Sequence, residues 1–183
     1  MPTERRRTRT RYERPYDLRF LTFSCYERLP LLSNPRIADL FVEQLAATRA
    51  RLRFALLAWV VMPEHVHLLI WPRLPEVPVP VVLRSLKQPI AQRVISRWRE
   101  LDAKVLTRLA DSDGHVRFWL RGGGYDRNIF SEDELSEKIR YIHNNPVSRG
   151  LVERATDWRW SSARWYAGMR EGELEIDPLR KPV

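Results

Sequence analysis

This 183-residue chain contains two histidines separated by one residue, His65 and His67, and this spacing is typical of a site that binds a metal ion or a phosphate. They follow a turn expected at Pro63-Glu64 and open an apolar run that ends near Trp71. Because side chains alternate between the two faces of a strand, both imidazoles point the same way. Two neutral imidazoles on one face can bind a metal ion or a phosphate. The alternative is a pair of edge-strand histidines hydrogen bonded to the backbone.

A tyrosine and an asparagine one helical turn apart, Tyr141 and Asn145, form a second polar pair. They lie on a predicted helix that opens with a capping box at Ser131 and Glu134 and ends before Pro146. The apolar stripe of this helix consists of Leu135, Ile139 and Ile142. With a helical period of about 3.6 residues, Tyr141 falls roughly 120° from the middle of that stripe. A half-buried tyrosine with its hydroxyl in water would look the same.

Strands and helices that alternate along the chain must position these residues. The predicted strands cover residues 18–26, 54–62, 65–71, 116–121 and 125–130, and the predicted helices cover residues 35–51, 81–101 and 132–145. Asn34 and Pro35 mark the start of the first helix, and Pro89 is expected to kink or restart the second. The order predicts an α+β fold with a ferredoxin-like antiparallel sheet of four to five strands and helices on one face. We expect the tyrosine-bearing helix to lie over the His-x-His strand.

Composition and charge favour a cytoplasmic, nucleic-acid-binding protein. The net charge is +9, and four of the 32 basic residues are lysines, so arginine dominates. Arginine binds phosphate in a bidentate manner and stacks on bases, which suits nucleic acid. The single cysteine, Cys25, excludes an intramolecular disulfide and a cysteine-rich zinc site. We find no signal peptide and no uncharged run of about 18 residues that could span a membrane.

The chain is expected to form one domain flanked by two tails. Residues 1–16 are polar and arginine-rich and predict a basic flexible arm. Residues 17–170 predict the domain, and residues 171–183 predict a loose C-terminal tail. The C-terminal segment contains Trp158, Trp160 and Trp165. These side chains could stack on unpaired bases or pack the segment against the core, and the second interpretation is favoured.

Two spaced motifs resemble a known family. Residues 62–69 (MPEHVHLL), followed by residues 141–152 (YIHNNPVSRGLV), resemble the single-tyrosine transposases of the His-hydrophobic-His superfamily. The resemblance is greatest to the REP-associated tyrosine transposases and to short insertion-sequence transposases of that type. It runs from the first strand to residue 162. One departure is Glu64, where such proteins more often carry asparagine, and we expect this turn residue to change little.

The resemblance implies a site and a reaction. His65 and His67 match the paired metal ligands, Asn145 matches the third ligand, and Tyr141 matches the nucleophile. The implied cofactor is a divalent ion, Mg²⁺ or Mn²⁺. The implied substrate is single-stranded DNA with a nearby hairpin, cut through a 5′-phosphotyrosine intermediate. The residues predicted to contact DNA are basic and consist of Arg84, Lys87, Arg93, Arg97, Arg127 and Lys138.

Two other functions are compatible with the same residues. A DNA hairpin-binding module would keep the fold and the basic surface without cutting. A metal-dependent phosphodiesterase would use activated water and would tolerate loss of the Tyr141 hydroxyl. Proteins of the family that the chain resembles include monomers and homodimers, so either state is expected. The resemblance also implies a bacterial, nucleoid-associated protein.

Overall fold

Within the residues that the computed structural model describes, 17–73, 77–122, 124–170 and 174–178, four strands form one antiparallel sheet. The strands are β1 (Leu18–Ser24), β2 (Phe54–Val61), β3 (His65–Pro72) and β4 (Tyr125–Ile129), in the spatial order β2-β3-β1-β4. The helices are α1 (Pro35–Leu52), α2 (Val79–Glu100), α3 (Val105–Leu109), α4 (Glu132–Ser148) and α5 (Ala163–Tyr166). The order β1-α1-β2-β3-α2-β4 confirms the predicted α+β, ferredoxin-like arrangement.

Helices cover both faces of the sheet, so the prediction of helices on one face is wrong. Helices α1 and α2 pack on the face that carries Leu68 and Ile70. Helix α4 packs on the opposite face, where Ile142 contacts the cluster that contains Leu69. Strands β2 and β3 are buried at every position, and a strand that is buried on both faces needs a layer on each. The tyrosine helix therefore lies over the histidine side of β3.

Two helices continue through prolines that were expected to break or end them. Pro89 lies inside α2, and its missing N–H leaves the carbonyl of Ser85 without its helical donor. The side-chain amide of Gln44 on α1 donates to that carbonyl at 3.0 Å. Pro146 lies in the last turn of α4, where little of the helix remains to be disrupted. No helix in the described part of the chain is both long and apolar enough to cross a membrane.

The predicted strand over residues 116–121 is absent from the described structure. Val116 and Trp119 each form one isolated bridge, to Ala110 and Cys25 respectively. The indole N–H of Trp119 donates to the backbone carbonyl of Lys87 on α2 at 2.8 Å. This segment therefore closes the gap between β1 and α2 rather than extending the sheet.

The outer edge of β2 is covered by the C-terminal part of the chain. Val61 N–H donates to the Trp160 carbonyl at 2.9 Å, and Asp177 exchanges hydrogen bonds with the backbone of Leu56 at 2.8 and 3.0 Å. Ile176 is 7% exposed and joins the core. Residues 174–178 are therefore not the loose tail that was expected. They form hydrogen bonds with backbone groups at the edge of β2 that would otherwise be unpaired. The predicted basic arm, residues 1–16, lies outside the described residues.

The tryptophans near this edge seal the C-terminal segment, as the favoured interpretation predicts. The Trp158 indole donates to the Val61 carbonyl at 2.9 Å, and the Trp160 indole donates to Asp39 at 2.8 Å. An indole N–H that bonds to the protein is fixed in place with its ring packed beside the core. The segment that follows α4 is therefore part of the fold.

Candidate active site

The pairing of β1 with β3 gathers polar side chains on one face of the sheet. His67 lies opposite Thr22, and His65 lies opposite Ser24. Directly paired residues of antiparallel strands point to the same face, so these four side chains stand together. The remaining residues of β3 on this face, Leu69 and Trp71, are apolar, which confines the polar site to the start of the strand.

Helix α4 brings the second pair of residues over these histidines. The side chain of Ser131 accepts a hydrogen bond from the backbone N–H of Glu134 at 3.1 Å, which confirms the predicted cap. From that start, the helical period places Tyr141 and Asn145 one turn apart on the side that faces β3. Asn145 is buried, whereas Tyr141 is 48% exposed. One residue therefore meets the histidines at the base of the site and the other stands at its opening.

Three side chains converge at the base of the site. The Nε2 atoms of His65 and His67 are 2.9 Å apart, and the side-chain nitrogen of Asn145 is 3.3 Å from Nε2 of His67. The amide oxygen of Asn145 is buried and has no hydrogen-bond partner among the described residues. A buried amide oxygen without a partner is costly unless something else binds it. The structure thus brings the three predicted metal ligands together.

Hydrogen bonds on the far side of each imidazole set its orientation. Nδ1 of His67 lies 2.7 Å from the hydroxyl of Thr22, and Nδ1 of His65 lies 3.1 Å from the carboxylate of Glu64. Since a carboxylate only accepts, Nδ1–H of His65 donates to Glu64, and we assign the same tautomer to His67. Each Nε2 then directs a lone pair towards the other ring. Metal-binding histidines commonly donate their second N–H in this way.

Burial keeps both imidazoles neutral. Burial, together with a smaller contribution from the neighbouring His65, lowers the pKa of His67 to about 3. Burial also lowers the pKa of His65, although Glu64 opposes this change. Neutral imidazole is the form that binds a metal, and a bound cation offsets the repulsion between two facing lone pairs. Two imidazole nitrogens and an amide oxygen fit a divalent ion such as Mn²⁺.

Tyr141 lines a cleft above this base. Its ring centroid is 5.2 Å from that of His67 and 6.0 Å from that of Phe20, in edge-on contacts. The Lys138 ammonium lies 5.8 Å from the Tyr141 centroid. The cleft has a volume of about 390 Å³. Besides the histidines, Tyr141 and Asn145, its lining consists of Thr22, Ser24, Arg28, Asn144, Ser148 and Arg149.

The residues predicted to contact DNA divide between the two faces of the sheet. Arg127 lies opposite Phe20 on β1 and therefore shares the face of the site, with Lys138 nearby on α4. Both have acidic neighbours, since Arg127 pairs with Glu134 at 2.7 Å and Lys138 pairs with Glu137 at 2.7 Å.

The other four predicted contacts, Arg84, Lys87, Arg93 and Arg97, lie on α2, which packs against the opposite face. The ammonium of Lys87 donates to the backbone carbonyls of Leu120 and Gly122, at 3.3 and 3.0 Å. The structure does not bring these four residues to the cleft. Their role in DNA binding stays a prediction for a separate surface.

The sequence-based interpretation missed the residues that support the histidines. Glu64 is 8% exposed and pairs with Arg149 at 2.9 Å as well as with His65, so its expected passive role in the turn is wrong. The sequence-based interpretation gave no role to Thr22, which supports His67 from β1. A signal existed for Thr22, because it lies at a polar position in an apolar strand. No local signal links Glu64 to Arg149, which is distant in sequence.

His143 lies apart from the three predicted metal ligands. Its Nε2 is 2.8 Å from the hydroxyl of Ser162, and its ring contacts that of Tyr166. Burial lowers its pKa to about 4. His143 therefore anchors α4 to the C-terminal segment.

Comparison with known proteins agrees with the motifs. The chain is 32% identical over 126 residues to the REP-associated tyrosine transposase of Escherichia coli strain K12. It is similar to the REP-associated tyrosine transposases. A relative of Haemophilus influenzae with the same family name is 28% identical over 127 residues. Each match covers 68% of this chain but only 62% and 65% of the two relatives, which is less than two thirds of their length.

A solved REP-associated tyrosine transposase shares the fold. That structure, of the transposase bound to a REP hairpin, matches with a TM-score of 0.62 over 92% of each chain, at 20% identity. At this identity the match supports the α+β architecture alone. No protein-family model matches the chain.

Proposed function

We propose that this protein is a metal-dependent single-strand DNA endonuclease and strand transferase that forms a 5′-phosphotyrosine intermediate. The observation that carries the proposal is the position of Tyr141, whose ring lies 5.2 Å from that of His67 in the same cleft. The names of the relatives support a transposase, and the hairpin bound to the solved relative supports DNA that contains a hairpin as substrate. The net charge of +9 suits a nucleic-acid partner.

The proposed reaction exchanges one phosphoester for another. The oxygen of Tyr141 forms a bond to the scissile phosphorus while the bond from phosphorus to the 3′ oxygen breaks. The tyrosine proton passes to solvent, and the departing 3′ oxygen takes up a proton to become a hydroxyl. Because the phosphoester is kept in the protein–DNA link, a 3′ hydroxyl can later reverse the step without ATP. One tyrosine of this kind per chain cuts one strand.

The side chains at the base of the cleft would hold the cation that this reaction requires. His65, His67 and Asn145 would be its protein ligands. When bound, a divalent ion supplies Lewis-acid polarisation of the scissile phosphate and offsets the charge that develops on it. Thr22 and Glu64 keep the two Nε2 atoms directed at one point, which reduces the reorganisation needed for metal binding.

The exposure of Tyr141 suits attack on a polymeric substrate. With 48% of its surface in solvent, Tyr141 can meet a phosphate in the backbone of a long strand without opening the fold. Arg127 and Lys138 share this face and are proposed DNA contacts. The ion pair with Glu134 does not prevent such a contact by Arg127, whose side chain is 46% exposed, because exposed pairs contribute little stability.

A covalent-trapping assay tests the proposal. The protein is mixed with single-stranded oligonucleotides that carry the hairpin of the DNA flanking its gene, with Mg²⁺ or Mn²⁺, and is resolved on a denaturing gel. We expect a metal-dependent adduct that is absent from Tyr141→Phe. Tyr125→Phe is the matched control, because Tyr125 is an exposed tyrosine on the same face of the sheet, and it should retain the adduct.

Three results would contradict the proposal. Binding without an adduct, on DNA that contains the flanking hairpin, would indicate a DNA-binding module. Cleavage without an adduct that survives Tyr141→Phe would indicate a phosphodiesterase that uses activated water. Loss of the adduct in Tyr125→Phe but not in Tyr141→Phe would place the nucleophile on β4.

A further inference from the structure

The turn that follows β1 has an unusual backbone. Glu27 and Arg28 have φ angles of 50° and 55°, and they are adjacent, unlike the other non-glycine residues with positive φ in the described structure, Arg53 and Asp102. The left-handed region is unfavourable for residues with a Cβ, and a pair of such residues in succession is more so. Strain of this kind is often found at functional sites, where it sets the position of a side chain.

Hydrogen bonds to the site hold this turn in place. The N–H of Cys25 donates to the Glu64 carbonyl at 2.8 Å, and the N–H of Leu32 donates to the Pro63 carbonyl at 2.8 Å. Within the turn, the N–H of Arg28 donates to the Cys25 carbonyl at 3.1 Å. Residues on either side of the strained pair are therefore bonded to the two residues that precede His65.

The consequence of this backbone is that Arg28 lines the cleft together with His65 and Tyr141. Arg28 is exposed, and none of the described carboxylates pairs with it. The other arginine of the cleft, Arg149, is held by Glu64 at 2.9 Å. A guanidinium without an acidic partner, positioned beside a phosphate-transfer site, is well suited to bind an anion, and guanidinium binds phosphate through two parallel hydrogen bonds.

We propose that Arg28 binds a phosphate of the substrate strand adjacent to the scissile phosphate. This inference rests on the proposed function and extends it by naming a positioning residue. Arg28 would hold the strand in register over Tyr141, and the left-handed backbone of the turn would keep the guanidinium over the cleft. The ligand is a backbone phosphate of single-stranded DNA, so the contact is independent of base sequence.

The test measures how DNA binding depends on salt. In the Tyr141→Phe background, which cannot form an adduct, fluorescence anisotropy gives the Kd for two probes without added metal: a labelled oligothymidylate, and a hairpin with a single-stranded 5′ extension. For single strands, each lost phosphate contact lowers the slope of log K against log salt by about 0.7. We expect Arg28→Gly to show that decrease and to weaken binding by about tenfold at moderate salt.

Arg53→Gly is the matched control. Arg53 is also a left-handed arginine, with φ of 52° at the end of α1, but it does not line the cleft. Glycine adopts this backbone without strain, so the melting temperature of either variant should not fall. Of the two glycine variants, only Arg28→Gly should lose DNA affinity. Arg28→Lys keeps the charge and should retain the parent slope with an intermediate affinity.

The outcomes separate this inference from the proposed function. An Arg28→Gly protein with the parent slope and Kd overturns the inference, whatever the adduct assay shows. Equal losses of DNA affinity in Arg28→Gly and Arg53→Gly overturn it as well, since they would show that affinity depends on the net charge of the protein and not on the position of the arginine. Absence of an adduct with the unmodified protein would refute the proposed strand transfer, yet a slope decrease confined to Arg28→Gly would still establish the phosphate contact.

Discussion

Acid should destabilise this fold because the buried His67 and the half-buried His143 remain neutral in it. The usual pKa of histidine is 6.5, and burial lowers that of His67 to about 3 and that of His143 to about 4. As the pH falls below about 6.5, the unfolded chain takes up protons at both sites and the folded chain does not. The unfolded state is then favoured. The stability contributed by the neutral rings is complete above that pH and is lost as the pH falls towards the folded pKa values.

The size of the effect follows from the two pKa shifts. Between about pH 7 and about pH 5, each histidine should lower the free energy of unfolding by about 2 kcal/mol, or about 4 kcal/mol together. His65, whose pKa is also lowered, adds in the same direction. A typical domain is stable by about 5–15 kcal/mol, so the loss should be a large share of the total.

Urea unfolding of the metal-free protein, followed by circular dichroism at several pH values, measures this effect. Chelator is present throughout, because a bound cation would add its own pH dependence. We expect His67→Asn and His143→Asn each to reduce the decrease between about pH 7 and about pH 5 by about 2 kcal/mol. His115→Gln is the control, since that side chain is 70% exposed. A stability that is flat over this range, or a decrease that neither variant reduces, would refute the reasoning.

Two further predictions concern the framework of the site. Thr22→Val removes the hydroxyl that lies 2.7 Å from Nδ1 of His67, so it should lower the free energy of unfolding by about 1–3 kcal/mol in urea and weaken Mn²⁺ binding about tenfold by calorimetry. Ser24→Ala on the same strand should leave both nearly unchanged, and equal effects would contradict the assigned role. Gly124→Ala would place a Cβ 2.1 Å from the Thr22 carbonyl, so its melting temperature should fall well below that of Gly122→Ala, where the Cβ meets nothing within 4 Å. Both glycines have a positive φ, 73° and 97°, so backbone strain is common to the two variants. Similar melting temperatures for the two glycine variants would refute that clash.

Patterns within single elements predicted much of the framework correctly. The two-residue period of a strand places His65 and His67 on one face, and the capping box at Ser131 gives the start of α4. The helical period likewise places Tyr141 beside Asn145. Such features depend on backbone geometry over a few residues, so they can be recognised without knowledge of the rest of the fold.

Contacts between distant segments decided the remainder. The apolar content of β2 and β3 shows that both faces need cover, but only the packed structure assigns α4 to one face and α1 and α2 to the other. For the same reason, the basic residues of α2 lie across the sheet from the cleft. A helix shows which of its own sides is apolar, whereas the sheet face it covers depends on the path of the chain.

The sequence by itself determined which residues have the chemistry for metal binding and nucleophilic attack, because residue type and local period are written in it. Tertiary structure alone decided their support: the ion pair between Glu64 and Arg149, the bond from His67 to Thr22, and the entry of Arg28 into the cleft. These contacts join segments far apart in the chain. Their geometry follows from strand pairing and helix packing, which depend on many weak interactions acting together. A short sequence pattern cannot predict the combined effect of those interactions.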